Sequence, residues 1–369
     1  MKLLKFMTVV GARPQFIKAA VISRLISAKF SNIDEVLVHT GQHFDQNMSD
    51  IFFNELGIRK PKYFLNINNL SHGAMIGKMI IELEIIFLKE KPDCVIVYGD
   101  TNSTLAAGIA AKKLNIKLAH IEAGVRNFDE SMPEESNRYL VDRLSDFNFC
   151  CTKLGCLNLA AEGLDNPRMN KKCFLSGDIM YDAALYESSR TENLTSQCRS
   201  MIDENSNYIL ATIHRASNTD SKEVLNEILT GLNYINKRVK VILLTHPRTL
   251  SKLQSFQIKP EFDLFDPMGY HDTLSLIQSS DLVITDSGGL VREAYFFKKK
   301  SVFLLSKPVW PELNDAGVSL SVEPKSKQII NSFELMQNKE VHWNQNIFGD
   351  GTAGDKILNV LAKAMSELI

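Results

Sequence analysis

Short apolar runs alternate with stretches whose apolar residues recur at helical spacing along nearly the whole chain. In the first half, 6–10, 36–39, 94–98, 118–121 and 147–151 read as strands. Between them, 14–27, 73–88, 103–113 and 134–144 read as helices. That alternation predicts an α/β fold built on a doubly wound parallel sheet. The second half repeats the plan, with strands at 208–212, 239–244, 282–285 and 301–305 and helices near 222–235, 272–279 and 290–297. A polar stretch at 188–206, rich in Ser, Glu and Asn, separates the halves. Two similar α/β domains facing a central cleft are therefore expected, with the cleft as the ligand site.

A length of 369 residues agrees with two domains, since one domain commonly holds about 100–200 residues. Hydrophobic residues make up 44% and the net charge is −1, which describes a globular chain with no bulk attraction to nucleic acid or anionic membrane. Any phosphate binding must come from local groups. The opening 1–13 combines lysines with apolar residues, but Lys5 interrupts the run and no small-residue cleavage site follows, so a buried first strand is expected rather than a signal peptide. No uncharged run approaches the roughly 20 residues that span a bilayer; 75–88 carries Lys78, Glu82 and Glu84. Six cysteines without Cys-x-x-Cys spacing suit small core residues in a reducing compartment, the cytoplasm.

In open parallel sheets, ligands sit beyond the carboxyl ends of the strands. Those ends carry Gly11-Ala12-Arg13-Pro14, Thr40-Gly41-Gln42-His43, Gly99-Asp100-Thr101-Asn102, Glu122-Ala123-Gly124, His214-Arg215, His246-Pro247-Arg248 and Asp286-Ser287-Gly288-Gly289. Each is polar, charged or glycine-containing, which points to one functional edge per sheet. Asp286 to Gly289 suits an anion: two glycines allow close backbone approach, Ser287 adds a hydroxyl, and the first amides of the next helix lack intrahelical acceptors. The plainer reading is a strand-to-helix turn with Ser287 as cap.

Three carboxylates stand out in the first half, and each has two readings. Asp100 either faces a ligand or caps the helix after it. Glu122 either acts in the site or pairs with an arginine such as Arg126. Glu134 opens a helix behind Pro133, and with Arg138 four residues on it forms either a surface ion pair or part of the site. His214 is either a structural histidine or a functional one. Arg13 and Lys18 supply positive charge near the first turn. Carboxylates opposite an anion seat suit a nucleotide-linked substrate, with cations holding phosphates and carboxylates moving protons.

Other motifs fail. No G-x-G-x-x-G follows the first strand, and Gly73 to Lys78 is one residue short of a P-loop with Met79 in the magnesium-binding place. His39 and His43 have zinc-helix spacing but fall in a turn.

Taken together and in this order, Gly11-Ala-Arg-Pro-Gln-Phe-Ile-Lys18, Thr40-Gly-Gln-His43, Tyr98-Gly-Asp-Thr-Asn-Ser103, His120-Ile-Glu-Ala-Gly124, Met132-Pro-Glu-Glu-Ser-Asn-Arg138, His214-Arg215, Asp286-Ser-Gly-Gly289 with Glu293, and Gly349-Asp-Gly-Thr-Ala353 resemble the non-hydrolysing UDP-N-acetylglucosamine 2-epimerases. The resemblance implies a GT-B-like fold of two Rossmann-like domains, 1–185 with the sugar-handling carboxylates and 186–355 with the UDP site, and a helix at 356–369 packing back on the first. It implies inversion at C2 of a UDP-2-acetamido sugar, by elimination of UDP to a 2-acetamidoglucal and re-addition, in surface polysaccharide precursor synthesis. By matched motif, Asp100, Glu122 and Glu134 are the proton-transfer candidates and His214 the group that steadies the leaving diphosphate or assists the chemistry. Arg13, Lys18, Ser287, Gly288 and Gly289 would hold phosphates, Arg138 would lie beside sugar or phosphates, and Glu293 would take the ribose hydroxyls. Gln42, His43 and His246 are candidates for a second site or the cleft. No metal, cofactor, nucleic acid or membrane is implied, and a homodimer is.

Two departures matter. Gly11-Ala12-Arg13-Pro14-Gln15, followed by Phe16, stands where the family usually has Gly-Thr-Arg-Pro-Glu, and with 42–48 this variant resembles the branch acting on UDP-2,3-diacetamido-2,3-dideoxyglucuronate. After the strand at 301–305 the family places Arg-Asp with a downstream Thr-Glu, whereas this chain reads Leu305-Ser-Lys-Pro-Val-Trp-Pro-Glu312, with Lys307 as the candidate replacement charge. A GT-B glycosyltransferase using a UDP-sugar, or a catalytically impaired UDP-sugar binder, are the alternatives.

Overall fold

The structure, a computed structural model, describes residues 3–42, 56–166, 171–190, 194–204, 207–343 and 346–367. His43 and the rest of the 43–48 motif lie outside the described residues. The chain divides into two compact units, Met1–Ala183 with Asn346–Ile369, and Ala184–Gln345. Residues 346–355 thus belong with the first unit.

The first unit contains a seven-stranded sheet: β1 (Leu4–Val10), β2 (Ile33–His39), β3 (Tyr63–Phe64), β4 (Cys94–Tyr98), β5 (Lys117–Ala123), β6 (Phe147–Cys150) and β7 (Lys172–Leu175). Every pairing is parallel and the spatial order is β3-β2-β1-β4-β5-β6-β7. The second unit has six parallel strands, β8 (Tyr208–Ile213), β9 (Lys240–Thr245), β10 (Leu264–Phe265), β11 (Leu282–Thr285), β12 (Lys300–Phe303) and β13 (Ser319–Ser321), ordered β10-β9-β8-β11-β12-β13. Both are doubly wound sheets of the GT-B class, and in each the strand order reverses once, at β1/β4 and at β8/β11. Chains leaving those neighbouring strands diverge to opposite faces and open a crevice at the carboxyl ends.

Central strands are predominantly apolar because helices cover both faces. In the first unit Met7, Val9, Val36, Val38, Val95 and Val97 pack against Met79, Leu83, Ile86 and Phe87 of the helix His72–Glu90 and against the alanine-rich helix Asn102–Lys113. In the second, Ile209, Ala211, Val241, Leu243 and Ile284 meet Leu225, Ile228, Leu229 and Leu232 of Lys222–Asn236, with Phe333 of Ser326–Asn338. The four strands that periodicity missed, β3, β7, β10 and β13, are the edge strands of the two sheets. Each has two to four residues, too few to carry a periodic signal.

The C-terminal helix Ala353–Glu367 packs on Arg13–Lys29 of the same unit: Gly354 abuts Val21 and Leu25, and Lys29 Nζ lies 2.8 Å from Asp355 Oδ1. Its first amides are received by Asp182, whose carboxylate accepts from Ala353 N at 3.1 Å and Gly354 N at 2.8 Å. Burial pushes the Asp182 carboxyl up to about 6, against the lowering effect of those two amides. The folded state therefore holds this proton where the unfolded chain has released it, so the stability contributed by Asp182 falls as pH rises from about 4 through about 6. Asp182→Asn should remove that slope from the wild-type pH dependence of urea unfolding, followed by circular dichroism.

Candidate active site

The first crevice begins where β1 and β4 end. Gly11 is tight there: a Cβ would overlap the hydroxyls of Ser103 and Thr40. The buried Gln15 side chain spans the gap. Its Oε1 accepts from Gly11 N (2.7 Å) and Ala12 N (3.1 Å), while its Nε2 donates to Tyr98 O (2.8 Å), Thr101 Oγ1 (3.0 Å) and Thr104 Oγ1 (2.9 Å). A carboxylate there would have nothing to donate to the Tyr98 carbonyl, which gives the departure at Gln15 a physical basis. Arg13, at the start of the helix, is half-buried.

Lys18, buried on that helix, places Nζ 2.6 Å from Glu122 Oε2. Glu122 has φ +78° and sits where the register of β5 on β6 shifts between Ile121 and Ala123. A non-glycine residue in that region costs about 1–3 kcal/mol, and the bulge re-aims a side chain that regular alternation would place elsewhere. Arg126 binds the Asp142 carboxylate (2.7 Å) and Glu162 (2.7 Å).

Beneath the bulge runs a buried polar chain that the sequence reading left without a role. His120 reaches Gly99 O through Nε2 and Asp142 Oδ1 through Nδ1, both at 2.7 Å, and Asp142 Oδ2 accepts from Gly124 N at 3.1 Å. Burial raises the Asp142 carboxyl, but His120 and Arg126 outweigh it and hold the group below the usual carboxylate range. The chain ties the ends of β4 and β5 together. A histidine within an apolar strand was the available signal, since a buried imidazole needs partners.

Asp100 leaves β4 and meets Arg138 Nη2 at 2.5 Å. Thr101, not Asp100, caps the following helix, accepting from Thr104 N. Arg138 pairs with Glu135 at 2.6 Å, three residues back, and not with Glu134. Glu135 is almost wholly buried and receives Asn127 N (3.0 Å) and Phe128 N (2.9 Å), so it is pinned before it meets the guanidinium. Glu134, on the same first turn of Pro133–Leu144, is exposed. Asn137 donates to Asp100 O at 2.8 Å and fixes that backbone. Gln42 Oε1 accepts from Ser103 N (3.0 Å) and Oγ (2.8 Å), docking the next loop onto the same helix start. One oxygen or sulfur from each of Glu122, Cys151 and Asp178 lies within 4.8 Å of the others, a mixed set of two hard carboxylates and one soft thiol. The Lys18 ammonium already supplies positive charge at Glu122.

In the second unit the organising group is Asp286, fully buried at the end of β11. Its carboxylate accepts from His214 N (3.0 Å), Arg215 N (2.9 Å) and Asn218 Nδ2 (3.0 Å), and lies 3.1 Å from His214 Nδ1. Burial raises this carboxyl, and the His214 contacts with those backbone amides more than reverse it. With Nδ1 held, the remaining His214 nitrogen is left for the exterior; the side chain is 39% exposed. The exposed His246 ring lies 5.7 Å from that of His214, and its Nδ1 caps Pro247–Phe256 through Arg248 N.

Ser287 does cap the helix Gly288–Phe296, accepting from Leu290 N at 3.3 Å. The two readings of Ser287 are compatible, since a hydroxyl that accepts one bond keeps its own proton to donate. A Cβ on Gly289 would meet only Ser287 Oγ within 4 Å, so the helix start is open. Glu293, a turn later, is buried. Lys307 is exposed, whereas Val309 and Trp310 are buried against Gly288.

Comparison with known proteins follows this geometry. The profile of the UDP-N-acetylglucosamine 2-epimerase family matches residues 27–362. A UDP-2,3-diacetamido-2,3-dideoxy-D-glucuronate 2-epimerase of Pseudomonas aeruginosa is 44% identical, with 98% of this chain and 100% of that protein covered. A UDP-N-acetylglucosamine 2-epimerase of Methanococcus maripaludis is 40% identical over 96% of this chain and 97% of its own length. The crystal structure of the Methanocaldococcus jannaschii UDP-GlcNAc 2-epimerase, in complex with UDP-GlcNAc and UDP, superposes with a TM-score of 0.89 at 37% identity, covering 98% of this chain and 100% of that one. The chain belongs to the UDP-N-acetylglucosamine 2-epimerase family of isomerases.

Proposed function

We infer that this protein inverts C2 of a UDP-2-acetamido sugar, either UDP-N-acetylglucosamine with its manno epimer or a UDP-2,3-diacetamido-uronate. The observation that carries the reading is the set of carboxylates held against cations at the β1/β4 edge, Glu122 on Lys18 and Asp100 on Arg138, together with an open helix start at the end of β11. C2 of such a sugar has no neighbouring carbonyl, so its proton leaves only if a bond to C1 breaks with it. A carboxylate takes the C2 proton as the C1–O bond to UDP breaks, which leaves a 2-acetamidoglucal. A proton delivered to the opposite face of C2 and return of the diphosphate oxygen to C1 complete the inversion.

Asp100, Glu122 and Glu134 are assigned to proton transfer, and His214 to the leaving diphosphate. Ser287, Gly288 and Gly289 offer donors to that diphosphate, with Arg13 and Lys18 as cations, Arg138 beside the sugar and Glu293 on the ribose. The diacetamido-uronate is favoured by the 44% identity to the Pseudomonas enzyme. Residues 1–183 with 346–369 are assigned the sugar chemistry and 184–345 the UDP. The product serves surface polysaccharide precursor synthesis in the cytoplasm. Free cysteines, with Cys94, Cys150, Cys151 and Cys198 buried, fit a reducing compartment. Among the described residues no helix is long and apolar enough to cross a membrane.

A homodimer is assigned from the helix His72–Glu90, whose outer side exposes Ile81, Ile85 and Leu88 at helical spacing. An apolar stripe of that kind marks an interaction surface.

Incubation with each candidate substrate in deuterium oxide should place deuterium at C2 without any sugar acceptor. Transfer to an acceptor with no C2 exchange would identify a glycosyltransferase, and no exchange with either substrate would refute the epimerase. Asp100→Asn and Glu122→Gln should each lower kcat by about 10²–10⁴-fold, with UDP affinity changed far less. Ile85→Glu should halve the mass seen in sedimentation equilibrium; a monomeric wild type would overturn the dimer.

A further inference from the structure

The segment 305–312 lacks the family's Arg-Asp, and the structure shows what stands there instead. Beyond β12, Leu304 N donates to Thr285 O at 2.8 Å and Leu304 O accepts from Asn218 Nδ2 at 3.1 Å, the same amide that binds Asp286. The chain then returns over the turn after β11. Atoms of Val309 and Trp310 lie 3.7–3.8 Å from where a Gly288 Cβ would be. The Trp310 indole N–H donates to Gly288 O at 3.0 Å, and the buried Arg292 guanidinium covers the indole at 4.5 Å.

A peptide unit is planar, so its carbonyl and N–H point in opposite directions. A hydrogen bond that holds the Gly288 carbonyl therefore also sets the direction of the Gly289 N–H. Gly288 opens the helix, so its carbonyl already lies along the helical ladder, but two consecutive glycines make that first turn soft, and the indole adds a second bond to the same oxygen. We propose that Trp310 is a positioning residue of the diphosphate seat: its indole N–H pins the Gly288 to Gly289 peptide so that the amides of the first helical turn already face the anion. This rests on the reading of Ser287, Gly288 and Gly289 as phosphate donors. The seat gains by preorganisation what the missing Arg-Asp pair would supply by charge.

Calorimetric titration of UDP and uridine into wild type, Trp310→Phe and Gly288→Pro tests both levels. Phenylalanine keeps an aromatic ring beneath Arg292 and deletes the donor together with one of the two fused rings, and the uridine titration controls for that lost packing. Trp310→Phe should weaken UDP about fivefold, the scale of one hydrogen bond. It should leave uridine within about twofold, and raise KM for the UDP-sugar more than it lowers kcat. An equal loss for UDP and uridine with a lowered Tm would show a merely structural tryptophan, and unchanged UDP affinity would refute the proposal. Gly288→Pro removes one seat amide at a first helical position, behind a Ser287 of extended backbone, where proline is tolerated. If it leaves UDP affinity unchanged, the phosphate reading itself fails. If it weakens UDP while Trp310→Phe does not, only the role of Trp310 falls.

Discussion

A parallel sheet covered by helices on both faces has little room for charge away from its strand ends, and this constraint arranges the molecule. The strands are mostly apolar, and polar groups gather where β1, β4, β5, β8 and β11 stop. Several of those groups are themselves largely buried, so each needs a partner of opposite charge or a hydrogen bond; an unpaired one would cost several kcal/mol, on the order of the whole molecule's stability. Lys18 on Glu122 and Arg138 between Asp100 and Glu135 satisfy this need, and they also aim carboxylates at the crevice.

Both units meet the need in a similar way. A buried aspartate, Asp142 in one and Asp286 in the other, gathers a histidine and backbone amides and so joins neighbouring strand ends. In the first unit the histidine, His120, is itself enclosed and serves the framework. In the second it is His214, partly exposed, so a similar bond leaves the other ring nitrogen toward the exterior. The difference lies in burial. Backbone strain is also found at the edge of the first unit, where Glu122 holds a left-handed conformation at a bulge beside the buried polar chain.

Alternating apolar runs and helical patterns made the α/β architecture legible, because a strand covered on both faces is a long apolar signal. Edge strands such as β3 and β10, two residues each, left no such signal. The strand-exit motifs contain Asp100, Glu122 and Asp286, and polar residues at an apolar strand's end are visible without coordinates. Partnerships were less legible. Arg138 lies four residues after Glu134 and three after Glu135, both helix-compatible, and only the 127–128 amides on Glu135 decide between them.

By itself the sequence determined that the chain has two parallel-sheet halves and which polar motifs stand at the carboxyl ends of named strands. Local pattern is enough for this, because periodicity and turn chemistry act over a few residues. Tertiary structure decided which charges meet. Lys18 and Glu122 are 104 positions apart, His120 and Asp142 are 22 apart, and Trp310 reaches back 22 to Gly288. Such contacts depend on strand order and on a bulge in β5, neither of which leaves a periodic trace in the chain.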